Sequence, residues 1–232
     1  MGPLEQLARA RIEALLGEPF KRPALLAEAL THRSAAHERQ KGARGGGSNE
    51  RLEFIGDRVL GLLMAEWLIE RFPNEQEGAL GPRHAYLVSR PVLARVAGEI
   101  GLAAALDVAP HEARAGIREV ANVLADAVEA VLGAAYLDGG LEAPRRFVRA
   151  AWDEAMLGQT LPPKDPKTAL QEWLLGRGLA LPVYKVVSAE GPSHAPRFAI
   201  EVGARGCVGA GMAGSKRAAE SAAAADLLRQ LQ

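Results

Sequence analysis

The chain has 232 residues, with 28 Lys and Arg against 28 Asp and Glu, 48% apolar residues and a single cysteine. This length allows one large domain or two smaller ones, and the apolar content excludes a wholly disordered chain. One cysteine excludes a disulfide scaffold and a zinc site built on several thiolates. No apolar run approaches the ~20 residues of a membrane span, and the N-terminus lacks the blocks of a signal peptide, so we expect a cytoplasmic protein without a membrane segment.

The first 158 residues are predicted to form an all-helical domain. Its longer predicted helices cover about residues 4–16, 23–31, 50–72, 118–137 and 141–156. Asn49 is a suitable N-cap for the third of these and Pro73 a suitable stop, and apolar residues on most sides predict a central, buried helix. Pro82 and Pro91 are expected in the first turns of two further short helices. A polar, glycine-rich loop is expected over about residues 37–48.

A second domain is predicted after a proline-rich seam. Pro162, Pro163 and Pro166 disfavour a helix, so residues 159–164 are expected to form a linker. Residues 165–232 predict a helix, three strands and a second helix in that order, which is a small α+β domain. The predicted elements cover about residues 168–177, 183–188, 197–202, 207–212 and those after 215. This tail carries eight Lys and Arg against six Asp and Glu, and a charge of +2 is too small to identify a partner by itself.

Carboxylates at helical spacing occur inside both of the most apolar predicted helices. Glu50, Glu53 and Asp57 are three and four residues apart, which places them on one face of a helix. Asp126 and Glu129 are three apart in an apolar segment without Lys or Arg. Burying such acids is costly unless they are paired or bound to a metal, and oxygen ligands alone favour Mg²⁺ or Mn²⁺ over zinc. The pattern therefore predicts two acidic faces that converge on a hard cation.

Salt bridges are the alternative to a metal site at these acids. Arg51, Arg58 or Arg71 are available as partners for the acids of the first helix, or the acids can simply face water. Acids on one face of each of two apolar helices favour the metal site over this alternative. A helical di-iron centre is excluded, because it needs Glu-x-x-His pairs and the sequence has none.

Motifs in the helical part resemble those of the ribonuclease III family. The segment 49–57, Asn-Glu-Arg-Leu-Glu-Phe-Ile-Gly-Asp, is similar to the signature of that family. The segments 30–34, 77–80 and 124–130 match its further blocks in the same order and at similar spacing. A nine-residue signature with further blocks in order is highly specific, so the resemblance carries an expectation about chemistry as well as about fold.

The resemblance implies a role for each acid. The metal ligands would be Glu53, Asp126 and Glu129. Asp57 and Glu129 would be the catalytic residues, with Asp57 near the attacking water, and Glu50 and Glu77 would be supporting acids near the metal site and the subunit contact. The implied cofactor is Mg²⁺, for which Mn²⁺ would substitute, and the implied assembly is a homodimer formed through the nuclease domain.

The C-terminal part resembles a double-stranded-RNA-binding domain. The matching segments are 165–172, 181–184, 191–194 and 214–220. Such domains span ~16 base pairs and touch two minor grooves and the phosphates between them. Ser215 is expected to cap the last helix, so that Lys216 and Arg217 face phosphates. The remaining expected RNA contacts, to 2′-hydroxyls, come from Thr168, Gln171, Glu172 and His194.

Two functions from different classes follow from these resemblances. The first is a metal-dependent endoribonuclease that hydrolyses double-stranded RNA and leaves 5′-phosphates and short 3′ overhangs, with ribosomal RNA precursors among its implied substrates. The second is a double-stranded-RNA-binding protein whose nuclease domain is inactive and only dimerises. Every expected acidic position holds a carboxylate, which favours the enzyme.

Some residues in or near the motifs carry weaker expectations. Arg58 stands where the family commonly has Ser, and it is expected to point about 100° away from Asp57 and to affect the chemistry little. His32 and Arg33 belong to a family block, and packing or capping is expected of them rather than catalysis. Cys207 is expected to be a small strand residue and not a reactive thiol.

Overall fold

The structure is a computed structural model that describes residues 2–40, 47–160, 165–191 and 196–231. The chain divides into two compact units, Met1–Pro162 and Pro163–Gln232, and each has its own hydrophobic core. The division falls inside the predicted linker. Among the described residues, no helix combines the length and the apolar character needed to cross a membrane.

The first unit is helical, as the sequence predicts. Its α-helices are α1 Pro3–Leu16, α2 Pro23–Ala29, α3 Arg33–Gln40, α4 Glu50–Arg71, α5 Glu77–Leu87, α6 Arg90–Ile100, α7 Pro110–Arg114, α8 Ala121–Gly139, α9 Glu142–Ala151 and α10 Asp153–Leu157. Short 3-10 helices lie at Leu102–Ala105 and Ile117–Glu119. The long helices α4 and α8 pack against each other at the centre of the unit.

Glycines allow α4 and α8 to approach closely. A Cβ atom at Gly56 of α4 would lie 1.7 Å from the Glu129 carbonyl oxygen of α8, far inside van der Waals contact. A Cβ atom at Gly133 of α8 would lie 2.1 Å from the carbonyl oxygen of Leu52. Since neither helix can retreat without opening the core, the glycines determine how near the two acidic faces come.

The structure confirms some of the predicted helix boundaries and corrects others. Pro91 lies in the first turn of α6, as predicted. Pro82, in contrast, lies inside α5, which already begins at Glu77. Asn49 occupies the N-cap position of α4, but its side chain makes no capping hydrogen bond because its backbone is itself helical, at φ −64° and ψ −10°. The predicted loop 37–48 begins too early, since α3 continues to Gln40.

The helix α4 is less completely buried than its composition suggests. Leu60, Leu63 and Met64 are fully enclosed in the core. Phe54 on the same helix is 66% exposed, and Leu62 and Ile69 are also exposed. The prediction of a central helix is therefore correct for one side of α4, while another side presents apolar side chains at the surface.

The second unit is the predicted α+β arrangement. Its elements are α11 Pro166–Leu175, β1 Val183–Glu190, β2 Arg197–Ala204, β3 Cys207–Ala213 and α12 Lys216–Leu231. The strands form an antiparallel sheet in the order β1-β2-β3, and an irregularity interrupts the β1 register between Val186 and Ser188. Leu170 and Leu174 of α11 pack with residues of β2 and α12 in the core. Cys207 is a partly buried residue at the start of β3.

Candidate active site and RNA-binding surface

Three of the predicted acids converge between α4 and α8. Glu53 comes from α4, and Asp126 and Glu129 come from successive turns of α8. One carboxylate oxygen of each residue lies within 4.8 Å of the corresponding oxygens of the other two. This separation allows a single divalent cation to bind oxygens from all three side chains, as the sequence pattern predicts.

The three carboxylates repel one another in a half-buried setting. Burial raises the pKa of the Glu129 carboxyl to about 7. The charges of Asp57, Glu53 and Asp126 act in the same direction on that pKa. Burial also raises the pKa of Glu53 and of Asp126 above their usual range. The three carboxylates therefore suit a hard divalent cation, because its positive charge would offset their mutual repulsion and their burial.

Asp57 and Glu50 lie beside the three converging acids, in an open pocket. The residues that line this pocket are Glu50, Glu53, Phe54, Asp57, Arg58, Val88, Arg90 and Glu129. The side chain of Asp57 is 52% exposed, so water and substrate can reach it. Glu50 accepts a hydrogen bond from the Ser48 hydroxyl at 2.6 Å. The structure therefore brings four of the predicted acids to one pocket rim and places Asp126 next to them.

Arg58 does not point away from Asp57 as expected. Its Nη1 lies 2.7 Å from Asp57 Oδ2 and also donates to the Phe54 carbonyl oxygen at 3.0 Å. Its guanidinium carbon lies 4.2 Å from the centroid of the Phe54 ring. The prediction used only the angle of about 100° between the directions in which adjacent residues leave a helix. A long arginine side chain can nevertheless fold back along the helix surface and reach its neighbour. Arg58 is consequently held against a predicted catalytic residue.

Glu77 stands apart from the other acids. It is the first residue of α5, is exposed, and is not among the residues that line the acidic pocket. Within the described residues of one chain, the structure does not bring Glu77 to the group formed by Glu53, Asp126 and Glu129. A contribution of Glu77 to the chemistry would thus have to be made at a subunit contact, the other location that the resemblance implies.

Arg90 belongs to this site although the sequence reasoning missed it. It is the first residue of α6, and its Nη1 lies 3.2 Å from Asp126 Oδ1. Asp126 Oδ1 is shielded from solvent, and in the described part of the chain it has no well-aligned hydrogen bond. The sequence carried no signal for this contact, because it depends on how α6 packs against α8.

His32 has the structural role that the sequence suggested. Its Nδ1 lies 2.9 Å from the Ser34 hydroxyl and accepts from the Ser34 backbone N–H at 3.3 Å. The Ser34 hydroxyl oxygen in turn accepts from the Ala109 backbone N–H at 3.1 Å. Burial, and then the charge of Arg33, lowers the pKa of the His32 imidazole. These bonds connect the start of α3 to the segment before α7, near the acidic site.

In the second unit, the predicted RNA contacts of α11 lie together at the surface. Thr168, Gln171 and Glu172 are exposed and occupy successive turns of one helix face. The Asp165 carboxylate caps this helix by accepting from the backbone N–H groups of Lys167 and Thr168, at 3.0 and 3.2 Å. The cap holds the first turn of α11 in place next to the exposed polar side chains.

The start of α12 also agrees with the sequence prediction. The Ser215 hydroxyl accepts from the Ala218 backbone N–H at 3.2 Å, so Ser215 caps the helix. Lys216 and Arg217 follow in the first turn and are exposed. Two positive side chains and a helix N-terminus together favour negative groups such as phosphates. His194 lies outside the described residues.

Comparisons with known proteins agree with both units. A family profile described as Ribonuclease-III-like matches residues 22–153, and one described as Double-stranded RNA binding motif matches residues 166–231. A protein named Ribonuclease 3 from Caulobacter vibrioides is 47% identical over 224 residues, which cover 94% of this chain and 94% of that protein. Ribonuclease 3 from Bradyrhizobium diazoefficiens is 43% identical, with 96% of this chain and 88% of the relative covered.

Solved structures resemble the helical unit. The nuclease domain of ribonuclease III from Campylobacter jejuni superposes with a TM-score of 0.54 at 34% identity and covers 62% of this chain and 94% of that one. A second structure of that domain, described by flexibility in a region involved in dimer formation, gives the same score and identity and covers 62% and 95%. The converging acids, the helical unit and these matches together place the chain in the ribonuclease III family, as an endoribonuclease of that type with a double-stranded RNA-binding motif.

Proposed function

We propose that this endoribonuclease depends on a divalent metal, preferably Mg²⁺ with Mn²⁺ as a substitute, and hydrolyses both strands of double-stranded RNA. The products would carry 5′-phosphates and short 3′ overhangs. The observation that carries the proposal is the convergence of Glu53, Asp126 and Glu129 to within 4.8 Å, in a chain that also has a double-stranded RNA-binding motif. Glu53, Asp126 and Glu129 are the proposed ligands.

The chemistry divides between the metal and the side chains of the pocket. A divalent metal held by these residues would supply hydroxide near neutral pH and would compensate the charge that develops on the phosphate. Glu53, Asp126 and Glu129 hold their oxygens on two helices whose separation is set by glycine contacts, so core packing determines the distance between the acidic faces. Asp57 is half-exposed at the pocket and would orient the attacking water and accept its proton, a role that its access to solvent supports. Arg58 orients the Asp57 carboxylate.

RNA recognition is assigned to the second unit. Lys216 and Arg217 would contact phosphates at the N-terminus of α12, where Ser215 caps the helix. Thr168, Gln171 and Glu172 would reach 2′-hydroxyls in one minor groove, and His194 those in the next. The proposed domain bounds, taken from the proline-rich seam, are residues 1–158 for the nuclease and 165–232 for RNA binding, with 159–164 as linker.

A homodimer is the proposed assembly. A groove beside the acidic pocket is lined by Leu25, Leu52, Ile55 and Leu137, and the exposed ring of Phe54 lies at the same place. A second copy of the chain would cover this apolar surface and bring a second active site to the other RNA strand. The described involvement of a nuclease-domain region in dimer formation in the Campylobacter jejuni protein is consistent with this assembly.

Structured transcripts in the cytoplasm, including ribosomal RNA precursors, are the proposed substrates. This assignment rests on the resemblance to the family and on a cysteine content that suits a reducing compartment.

Incubation of the protein with a long RNA duplex, with and without Mg²⁺, tests the function. We expect short duplex fragments with 5′-phosphates and 3′ overhangs only when the metal is present. End-labelling of the products and sequencing of both termini identify the chemistry. Binding of the duplex without any cleavage in Mg²⁺ or Mn²⁺ would favour the alternative, an inactive RNA-binding protein.

A further inference from the structure

Arg90 combines an exposed side chain with a contact to a buried carboxylate oxygen of the acidic pocket. Its side chain is 56% exposed, yet its Nη1 lies 3.2 Å from Asp126 Oδ1, a buried oxygen of a proposed metal ligand. It also lines the same pocket as Glu53, Asp57 and Glu129. The guanidinium therefore partly compensates the negative charge that a metal would otherwise compensate.

The second arginine of the pocket differs from Arg90 in its contacts. Arg58 is fixed by the Asp57 carboxylate, by a backbone carbonyl and by the Phe54 ring. The contact of Arg90 in this pocket is its 3.2 Å ion pair with Asp126. The Arg90 side of this pair is open to water, so the guanidinium can leave Asp126 and be hydrated at low cost once another cation takes its place. Arg90 is thus the more easily released of these two cations.

We propose that Arg90 is a phosphate-binding residue that the metal releases: it pairs with Asp126 before the metal binds and contacts a phosphate oxygen of the RNA duplex afterwards. When Asp126 ligates a divalent cation, Arg90 loses its carboxylate partner and is repelled by the added positive charge. Its long side chain is at the pocket opening, where the RNA backbone must approach for cleavage. A planar guanidinium matches the geometry of phosphate oxygens and can donate two parallel hydrogen bonds.

This role of Arg90 rests on the proposed function, and it predicts that removing Arg90 raises the metal affinity but lowers the efficiency of cleavage. Removing Arg90 removes a competitor for Asp126, so the metal should bind more tightly. It also removes a phosphate contact, so cleavage should become less efficient. A residue that merely supports the position of Asp126 would weaken both metal binding and cleavage when it is removed. The opposite signs therefore separate the proposed role from a structural one.

The experiment compares Arg90→Gln with wild type in two measurements on the full chain. Calorimetric titration with Mn²⁺, in the absence of RNA, should show about two- to fivefold tighter binding by Arg90→Gln, as expected for loss of one partly exposed ion pair. With saturating Mn²⁺ and a defined RNA duplex, kcat/KM should fall by about ten- to a hundredfold, as expected for loss of a charged hydrogen bond. Arg90→Lys should recover part of the cleavage, because it keeps the charge but not the fork of donors.

Arg95→Gln is the matched control, because Arg95 lies on the same helix and pairs with Glu99 and Glu154 away from the pocket. It should match wild type in both measurements. Weaker Mn²⁺ binding by Arg90→Gln, or unchanged kcat/KM, would overturn the inference. A wild-type protein that binds Mn²⁺ but does not cut the duplex would instead remove the proposed function, and the inference with it.

Discussion

At Glu129, the charge that the proposed metal site needs lowers the stability of the metal-free fold. The Glu129 carboxylate is half-buried, it faces three other carboxylates, and its pKa is raised to about 7. A carboxyl group whose pKa is higher in the folded than in the unfolded chain stabilises the fold when protonated. That stabilisation is fully present below the unfolded pKa of about 4.5 and is lost as the pH rises through about 7.

Replacing Glu129 by Gln should therefore have opposite effects on stability and on cleavage. In the presence of a chelator at pH about 8, we expect Glu129→Gln to be more stable than wild type by about 1–2 kcal/mol, after allowance for solvent screening. The difference should shrink toward pH about 4. In Mg²⁺, cleavage should fall by about a hundredfold or more because a ligand charge is lost, while duplex binding persists.

Thermal melting at both pH values and a gel assay of duplex cleavage measure these effects. Glu142→Gln is a suitable control, because Glu142 is an exposed residue paired with Arg145 on α9. Near-normal cutting by Glu129→Gln would remove Glu129 from the active site. Equal stability of variant and wild type at high pH would show that burial and repulsion do not act on this carboxyl group.

Among the secondary-structure elements, the pair α4 and α8 positions the site. Residues three or four apart on each helix supply the acids, and the close contact at Gly56 brings the two acidic faces together. Any side chain at Gly56 must push against the backbone of Glu129 itself, so packing of the core and geometry of the site are coupled there.

Substitution of Gly56 by Ala should damage both stability and activity. The added methyl group would lie 1.7 Å from the Glu129 carbonyl oxygen, so the helices must separate, at a cost of about 3 kcal/mol or more. Gly61→Ala is the matched control on the same helix, since its Cβ would make an ordinary 3.8 Å contact with His84. That variant should be neutral or slightly stabilised by helix propensity. Equal melting temperatures for the two variants would refute the packing argument.

The N-terminus of α12 is expected to contribute ionic contacts to RNA. Replacing Lys216 and Arg217 together by Ala should weaken binding of an RNA duplex and reduce its salt dependence. The slope of log affinity against log salt should fall by up to about 0.9 for each lost phosphate contact. Arg229→Ala, at the opposite end of α12 and paired with Asp226, serves as the control. A double variant with the parent's affinity and slope would argue against phosphate contacts at this helix end.

At the scale of the whole molecule, the exposed apolar side of α4 bears on assembly. Phe54 is 66% exposed beside an apolar groove, and it is one of several large apolar side chains that this unit exposes. An apolar aromatic side chain at the surface next to a groove of similar character is typical of an interface. The acidic pocket also contains Phe54, so the proposed dimer contact and the proposed active site would lie at one side of the unit.

The protein should accordingly be dimeric in solution without RNA, and Phe54→Ser should shift it toward the monomer. Sedimentation at micromolar concentrations measures the mass, and a value near the 24.6 kDa of one chain for wild type would contradict the dimer. Ile69→Ser is the comparison variant, because Ile69 is similarly exposed on α4 but lies about four turns away. We expect a weaker effect on association from that substitution.

Local pattern alone was sufficient for much of the fold and for the identity of the acids. Helical periodicity places Glu53 with Asp57, and Asp126 with Glu129, because residues three or four apart share a helix face whatever the tertiary structure. Hydroxyl chemistry likewise identifies Ser215 as a cap, since the bond from the Ala218 N–H spans a single turn. These features depend on neighbours in sequence, so the sequence by itself determines them.

Only the tertiary structure decided features that depend on distant residues or on long side chains. The contact of Arg90 with Asp126 joins the first residue of α6 to the second turn of α8, and no spacing in the sequence encodes it. Pro82 is tolerated inside α5, although propensity places proline in a first turn, because packing can override a local preference. Arg58 reaches Asp57 by folding along the helix surface, which Cα directions do not predict. The acids were readable in the sequence, but the cations around them depended on the packing of the helices.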